Sequence, residues 1–176
     1  MDEEGIEALG ISPVDDLLKK IDNVHDVESL MKLSGELSTV GIDGFFDIGV
    51  SNDAKDPDVN LFTIIQGGIG LPDEAYYRED AYQEIREAYR AHIERMLTLF
   101  AYPDPAGTAL RIFELETAIA SHHWDIVKTR DAQARYNKMN SDELLELAPL
   151  LRHWFDGSRI SEKYWSVVDA VSYTHL

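Results

Sequence analysis

The acidic residues of the connection 51–58 are the candidates for metal binding in this sequence. Asn52, Asp53, Asp56 and Asp58 occur close together there, and carboxylate and amide oxygens are the ligands that Ca²⁺ prefers in proteins. The connection lacks the glycine and the distal glutamate of a calcium loop. Because Asn and Asp side chains also hydrogen-bond to nearby backbone in turns, we interpret the connection as a solvated turn, with calcium binding as the alternative.

Histidines could supply zinc ligation or acid–base chemistry, but their spacing does not favour either. His122 and His123 are adjacent, and adjacent residues on a helix point about 100° apart, so they do not converge on one ion. The zincin pattern H-E-x-x-H is absent from the sequence. We predict that this pair is surface-exposed or half-buried and that His92 lies at the edge of the core. The sequence therefore offers no catalytic residue, no cofactor-binding residue and no metal-ligand set.

The glycine-rich stretch 66–77, Q-G-G-I-G-L-P-D-E-A-Y-Y, joins an apolar extended part of the chain to a helical part. Its glycines permit unusual backbone angles and close approach of neighbouring chain, and Pro72 followed by Asp73 suits the beginning of a helix. Glycine-rich segments also bind phosphate, but this one lacks the Lys-Ser/Thr pair of a P-loop and the G-x-G-x-x-G spacing. We therefore predict a tight connection between β and α segments.

One carboxylate within a helical pattern also needs an explanation. Glu116 falls between the apolar residues Phe113 and Ala120, which predicts that its side chain is partly buried. Buried carboxylates are rarely left unpaired. We predict Arg130 as its partner.

The periodicity of apolar residues predicts a mainly α fold, a helical domain with a small antiparallel β-hairpin and a late short strand. Residues 1–176 are expected to form a single partial domain. The strongest helical stripe comprises Tyr82, Ile85, Tyr89, Ile93, Met96, Leu97 and Phe100. Helices are predicted over 13–22, 26–40, 79–101, 105–125 and 141–148. Strands are predicted over 45–50, 59–66 and 164–171, with a ragged end over 172–176.

Composition limits the class of protein. The 176 residues carry a net charge of −17, which disfavours binding to nucleic acid or to an anionic membrane. A hydrophobic content of 44% is enough for a folded core. The absence of cysteine excludes disulfides, thiolate catalysis and Cys-based zinc sites. No apolar run approaches the about 20 residues needed to span a bilayer, and no signal peptide is visible. We therefore expect a cytoplasmic protein, with an extracytoplasmic location left open if the N-terminus is truncated.

Several short motifs occur in an order and spacing that together resemble a known family. The stretch 66–77 fits Q-x-G-[LI]-G-L-P-x-x-x-Y-Y, and Tyr89 to Leu97 fits Y-x-x-H-I-x-x-M-L. Leu115-Glu116 with Ile119-Ala120, then Arg130-Asp131 with the segment 136–139, and Pro149 with Trp154 follow in order. This pattern, over about residues 6–171, resembles the N-terminal domain of M13 zinc metallopeptidases, the neprilysin and oligopeptidase O family.

The resemblance implies a region that closes over a catalytic domain and encloses a cavity for peptides. The family binds zinc through H-E-x-x-H and a downstream E-x-x-x-D in its C-terminal part, and neither motif is carried over to this sequence. The resemblance thus implies a chain truncated before the catalytic part, inactive alone and holding no zinc. Its expected partners are the parent's own C-terminal catalytic domain and the parent's peptide substrate. The missing cysteines fit a bacterial member.

Two hypotheses of function follow. The first is a non-catalytic N-terminal portion of a bacterial M13 zinc metalloendopeptidase that shapes and gates the peptide chamber. The alternative is a free-standing acidic helical module that recruits basic partners. Because a fragment of a larger protein should expose apolar surface meant for its missing part, we also predict a sizeable apolar patch or self-association.

Overall fold

The computed structural model of the chain describes residues 2–42 and 44–170. It is mainly helical with one small sheet, which confirms the predicted fold class. The helices are α1 (Glu3–Leu9), α2 (Asp15–Asp22), α3 (Val27–Ser38), α4 (Ala75–Arg78), α5 (Gln83–Leu99), α6 (Pro105–Ala120), α7 (Ser141–Leu147) and α8 (Leu151–Ser158). The strands are β1 (Phe46–Asp53), β2 (Asp56–Gln66), β3 (Lys138–Asn140) and β4 (Val167–Ala170).

Side-chain caps set where several helices begin. The Asp26 carboxylate accepts from the Ser29 backbone N–H at 2.7 Å and begins α3. Asn140 caps α7 in the same way, and the Glu143 carboxylate accepts a hydrogen bond from the Asn140 backbone N–H. Asp104 caps α6 ahead of Pro105. Each cap satisfies backbone N–H groups that the first helical turn leaves unpaired.

The sheet has the strand order β1-β2-β4-β3. β1 and β2 form the predicted antiparallel hairpin, with Phe46 opposite Gln66. β4 pairs in parallel with β2, placing Val168 opposite Phe62, and β3 pairs antiparallel with β4. The late strand thus completes a sheet that the hairpin begins.

Several predicted bounds differ from the structure. The predicted helix 79–101 begins at Gln83, after a separate 3-10 turn, and the predicted helix 105–125 ends at Ala120. The predicted strand 164–171 begins only at Val167, because Glu162–Tyr164 form a 3-10 turn closed by the Trp165 N–H. Residues 171–176, which include the end of that strand and the predicted ragged terminus, lie outside the described residues.

One core lies between the sheet and the helices α3, α7 and α8. Its aromatic centre is Phe155, which stacks on Trp165 with ring centroids 3.9 Å apart and contacts Phe62 and Trp154. We call α3, the four strands, α7 and α8 the sheet body. Its buried residues are Met31, Phe46, Phe62, Ile64, Leu144, Ala148, Leu151, Trp154, Phe155, Trp165 and Val168.

The helices α3 and α8 cross with their backbones in direct contact. Gly35 of α3 lies against the backbone of Trp154, and Gly157 of α8 lies against the carbonyl group of Lys32. A Cβ atom at either glycine would overlap that backbone. Only glycine allows this approach, so these two residues fix how closely the helices pack.

A second, smaller core lies among α4, α5 and α6, which we call the helical body. Leu71, Tyr77 and Ala120 are buried there, with Tyr89 and Phe113 packed against them. The helix α5 pairs with α6 and α4, yet none of its residues is fully buried.

The predicted stripe of α5 is therefore only partly buried. Ile85 and Met96 lie on this stripe but are 42% and 41% exposed. His92 is also exposed, which corrects its predicted place at the edge of the core.

Within residues 2–42 and 44–170, no helix combines the length and the apolarity needed to cross a bilayer.

Candidate functional site

The glycine-rich segment is held by a carboxylate and two tyrosine hydroxyls. Oε2 of Glu116 accepts from the Tyr77 hydroxyl at 2.7 Å and from the Gly70 N–H at 3.3 Å, and Oε1 accepts from the Tyr89 hydroxyl at 2.9 Å. Glu116 thus joins α4, α5, α6 and the segment. The predicted ion pair with Arg130 is wrong, because hydroxyl and backbone donors satisfy this carboxylate and Arg130 lies exposed.

Tyr77 extends this network into the backbone of the segment. Its hydroxyl oxygen accepts from the N–H groups of Gly70 and Leu71 at 3.1 and 3.0 Å. Burial, and then the hydrogen bond to Glu116, raise the pKa of both Tyr77 and Tyr89 above the ordinary value of 10.0, so both hydroxyls remain donors at neutral pH. A Cβ atom at Gly70 would overlap the Tyr89 hydroxyl, so a larger residue there would displace the hydroxyl that binds Glu116.

A second set of hydrogen bonds joins the end of β2 to the chain that follows α6. The Gln66 side chain accepts from the Trp124 N–H at 2.9 Å and donates to the Trp124 carbonyl at 3.1 Å. Nε2 of His123 donates to the Gly67 carbonyl at 3.0 Å. Burial lowers the pKa of His123 below its ordinary value of 6.5, so its ring is neutral at pH 7.

Two clefts are lined by residues of both the sheet body and the helical body. The polar cleft has a volume of 480 Å³ and is lined by Gly44, Asp47, Gln66, Gly67, Gly68, Ile69, Leu71, Pro72, Asp73, Glu116 and His123. The apolar groove has a volume of 380 Å³ and is lined by Val27, Leu30, Met31, Phe45, Phe46, Ala118, Ile119, His122, Ala148, Leu150 and Leu151. Each cleft takes its walls from both bodies.

The acidic hairpin does not form a calcium site in the structure. The Asp53 side chain is 1% exposed and accepts from Nζ of Lys138 at 2.6 Å. This contact, with a hydrogen bond from the Lys55 N–H, lowers the pKa of Asp53 from 3.8 to about 2. Asp56 and Asp58 are exposed at the hairpin. Asp53 therefore belongs to an ion pair within the sheet and is not the solvated turn residue that was predicted. The described residues of the alternative calcium site do not form a group placed to hold a metal ion.

The described histidines and carboxylates give no metal centre. Over residues 2–42 and 44–170, no group of three or more such side chains is placed to hold a metal ion. His122 is exposed and His123 is half-buried, in agreement with the sequence prediction for this pair. The structural role of His123 at Gly67 was not predicted.

The residues that carry the family resemblance are brought together at this junction. Gln66, Gly70 and Tyr77 come from the glycine-rich motif, whereas Tyr89 and Glu116 come from two later motifs. Sequence reasoning missed their hydrogen bonding to one another. The signal that could have indicated this hydrogen bonding is that all of these residues belong to the motifs that carry the family resemblance.

Comparisons with known proteins agree with the family resemblance of these motifs. A family model for the N-terminal part of peptidase family M13 matches residues 1–174. The chain therefore belongs to peptidase family M13 and corresponds to its N-terminal domain.

Two relatives illustrate the match. Zinc metalloprotease Zmp1 of Mycobacterium tuberculosis, solved in complex with an inhibitor, superposes with a TM-score of 0.93 at 34% identity, over 99% of this chain and 27% of Zmp1. Its open-state structure gives a TM-score of 0.91 at 35% identity, over 99% of this chain and 28% of Zmp1. Its partial open state gives a TM-score of 0.76 at 34% identity, over 98% of this chain and 26% of Zmp1.

The second relative is endothelin-converting enzyme 1 of Mus musculus, which is 28% identical over 166 residues, 86% of this chain and 21% of the enzyme. The chain thus spans about a quarter of Zmp1 and a fifth of endothelin-converting enzyme 1.

Proposed function

We propose that this chain is the non-catalytic N-terminal portion of a bacterial M13 zinc metalloendopeptidase, and that it forms part of the wall and gate of the peptide chamber. Its partners in this role are the parent's own C-terminal catalytic part and the peptide substrate. The zinc ion belongs to that catalytic part. Family membership is the observation that carries this proposal.

The exposed surface of the chain supports a role beside further polypeptide. Its solvent-accessible area is 11483 Å², whereas a compact monomer of 19.9 kDa is expected to expose about 8700 Å². Apolar side chains contribute to this excess, including Leu99 and Val127, which are 73% and 74% exposed. The apolar groove between the bodies adds further uncovered surface.

Gating is supported by the states in which a relative has been solved. Zmp1 is known in an inhibitor complex, in an open state and in a partial open state. A chamber that admits peptides must open to take them in and close to exclude water from the reaction. We assign the moving wall to the N-terminal portion.

The experiment compares this chain with the longer protein encoded by the same reading frame. Peptide hydrolysis is measured for both, with added zinc and with a chelator. We expect chelator-sensitive hydrolysis by the longer protein and none by the chain alone. Zinc-dependent hydrolysis by the chain alone, or a reading frame without H-E-x-x-H, would refute the proposal.

The alternative, a free-standing acidic interaction module, is not favoured. The family match covers residues 1–174 and leaves almost none of the chain to a separate origin. The acidic charge of −17 is equally compatible with a chamber wall.

A further inference from the structure

We propose that this N-terminal portion is itself divided by a hinge, so that the helical body rotates against the sheet body about the segment 66–70. The side chain of Gln66 is the pivot, through its two hydrogen bonds to Trp124. The inference deepens the proposed function, because it locates a moving part of the gate inside this chain.

The packing of the described elements separates the two bodies. The extensive contacts of α5 and α6 are with each other and with α4, whereas those of α3 are with α8 and α2, and the strands contact one another and α7. The two hydrophobic cores share no residue. Rotation of one body against the other therefore leaves both cores intact, which is the condition for hinge motion.

The polypeptide passes between the bodies at two neighbouring places. One is the glycine-rich segment that leaves β2 at Gln66, and the other is the chain that leaves α6 and reaches β3. Gln66 binds both backbone groups of Trp124 on the second passage, and His123 binds Gly67 on the first. An axis through these two passages lets the bodies turn with small changes in a few backbone angles.

The motion would change the shape of the two clefts. The polar cleft and the apolar groove take their walls from both bodies, so rotation of one body against the other changes the width of each. Narrowing the groove would bury apolar walls such as Leu30 and Ile119, which favours closure by removing their surface from water.

Three structures of one relative match this chain to different extents. The matching region of Zmp1 superposes with a TM-score of 0.93 in the inhibitor complex, 0.91 in the open state and 0.76 in the partial open state. The partial open state thus differs from the other two in the shape of this region.

Distance measurements between spin labels test the hinge. The chain has no cysteine, so spin labels will attach only to cysteines that are introduced by substitution. Asp156→Cys in α8 with Glu94→Cys in α5 measures across the junction, and Glu94→Cys with Glu114→Cys measures within the helical body; all three positions are exposed. Double electron–electron resonance is recorded for the otherwise native chain, for Gln66→Leu and for the exposed control Gln133→Leu.

We expect Gln66→Leu to broaden and shift the distance distribution across the junction, while the distribution within the helical body stays unchanged. Gln133→Leu should alter neither. An unchanged distribution across the junction in Gln66→Leu would overturn the inference, as would equal broadening within the helical body, since that would indicate a loosened fold. The experiment involves no peptide hydrolysis, so a rigid junction would refute the hinge and leave the proposed wall function to its own assay.

Discussion

Glu116 illustrates how single residues hold the junction together. It lies on α6, yet its carboxylate receives hydrogen bonds from α4, from α5 and from the glycine-rich segment. A carboxylate is suited to this position because it only accepts, and each of the donors around it can only be satisfied by an acceptor.

Replacement of Glu116 by Gln tests this network. The amide would present an NH₂ group where an oxygen now accepts, so one donor at the junction would lose its partner, at a cost of about 1–3 kcal/mol. The free energy of unfolding, measured by urea denaturation, should fall by that amount. Glu114→Gln, two residues away and exposed, is the matched control and should have little effect. Equal losses in both variants would show that the network contributes nothing specific.

The ion pair of Asp53 and Lys138 predicts a pH dependence of stability. The folded pKa of Asp53 is lowered from 3.8 to about 2, so the pair contributes stability above pH 3.8 that is lost as the pH falls towards 2. Urea denaturation between these pH values should give a steeper loss for the native chain than for Asp53→Asn. Asp58→Asn, at an exposed site of the same hairpin, is the control. Parallel curves for the native chain and Asp53→Asn would contradict the assignment.

At the scale of elements, the α3–α8 crossing determines how the sheet body is packed. Gly157→Ala places a Cβ atom on the Lys32 carbonyl group, so the helices must move apart. The free energy of unfolding should fall by at least about 2 kcal/mol. Gly5→Ala in α1, where only the flexible Asp2 side chain is near, should instead be neutral or slightly stabilising. A Gly157→Ala protein as stable as the native chain would mean that the crossing is looser than the structure indicates.

Some helices and strands could be predicted from the sequence, whereas others could not. The hairpin of β1 and β2 and the long helix α5 follow from apolar spacing alone. The strand β3 is three residues long, too short for any period, and its pairing with β4 is visible only in the folded chain. The sequence of α8 contains Gly157 and Ser158, which disfavour a helix, and packing against α3 overrides that preference.

The candidate site was harder to predict than the elements. The sequence predicts Arg130 as the partner of Glu116 because opposite charges pair, but the hydroxyls of Tyr77 and Tyr89 bind the carboxylate instead. Their approach depends on how α4, α5 and α6 pack, which local sequence does not encode. Likewise the acidic connection indicated a solvated turn, and the pairing of Asp53 with Lys138, 85 residues later, could not be seen in it.

At the scale of the whole molecule, the uncovered apolar surface predicts self-association of the isolated chain. Leu150 is 40% exposed on the wall of the apolar groove, together with Leu30 at 37%. Leu150→Lys should shift sedimentation velocity profiles towards the monomer, because a charge opposes burial of that wall. Val127→Lys, at an exposed apolar residue outside the groove, should leave association unchanged. A native chain that stays monomeric at high concentration would count against the groove as a contact surface.

The account depends on the reacting metal belonging to polypeptide beyond this chain. The direct measurement is the zinc content of the purified chain after equilibrium dialysis against buffered zinc. Since the described residues offer no group of ligands, we predict no stoichiometric, dialysis-resistant zinc. One zinc ion retained per chain, with side chains of this chain as its ligands, would contradict the account.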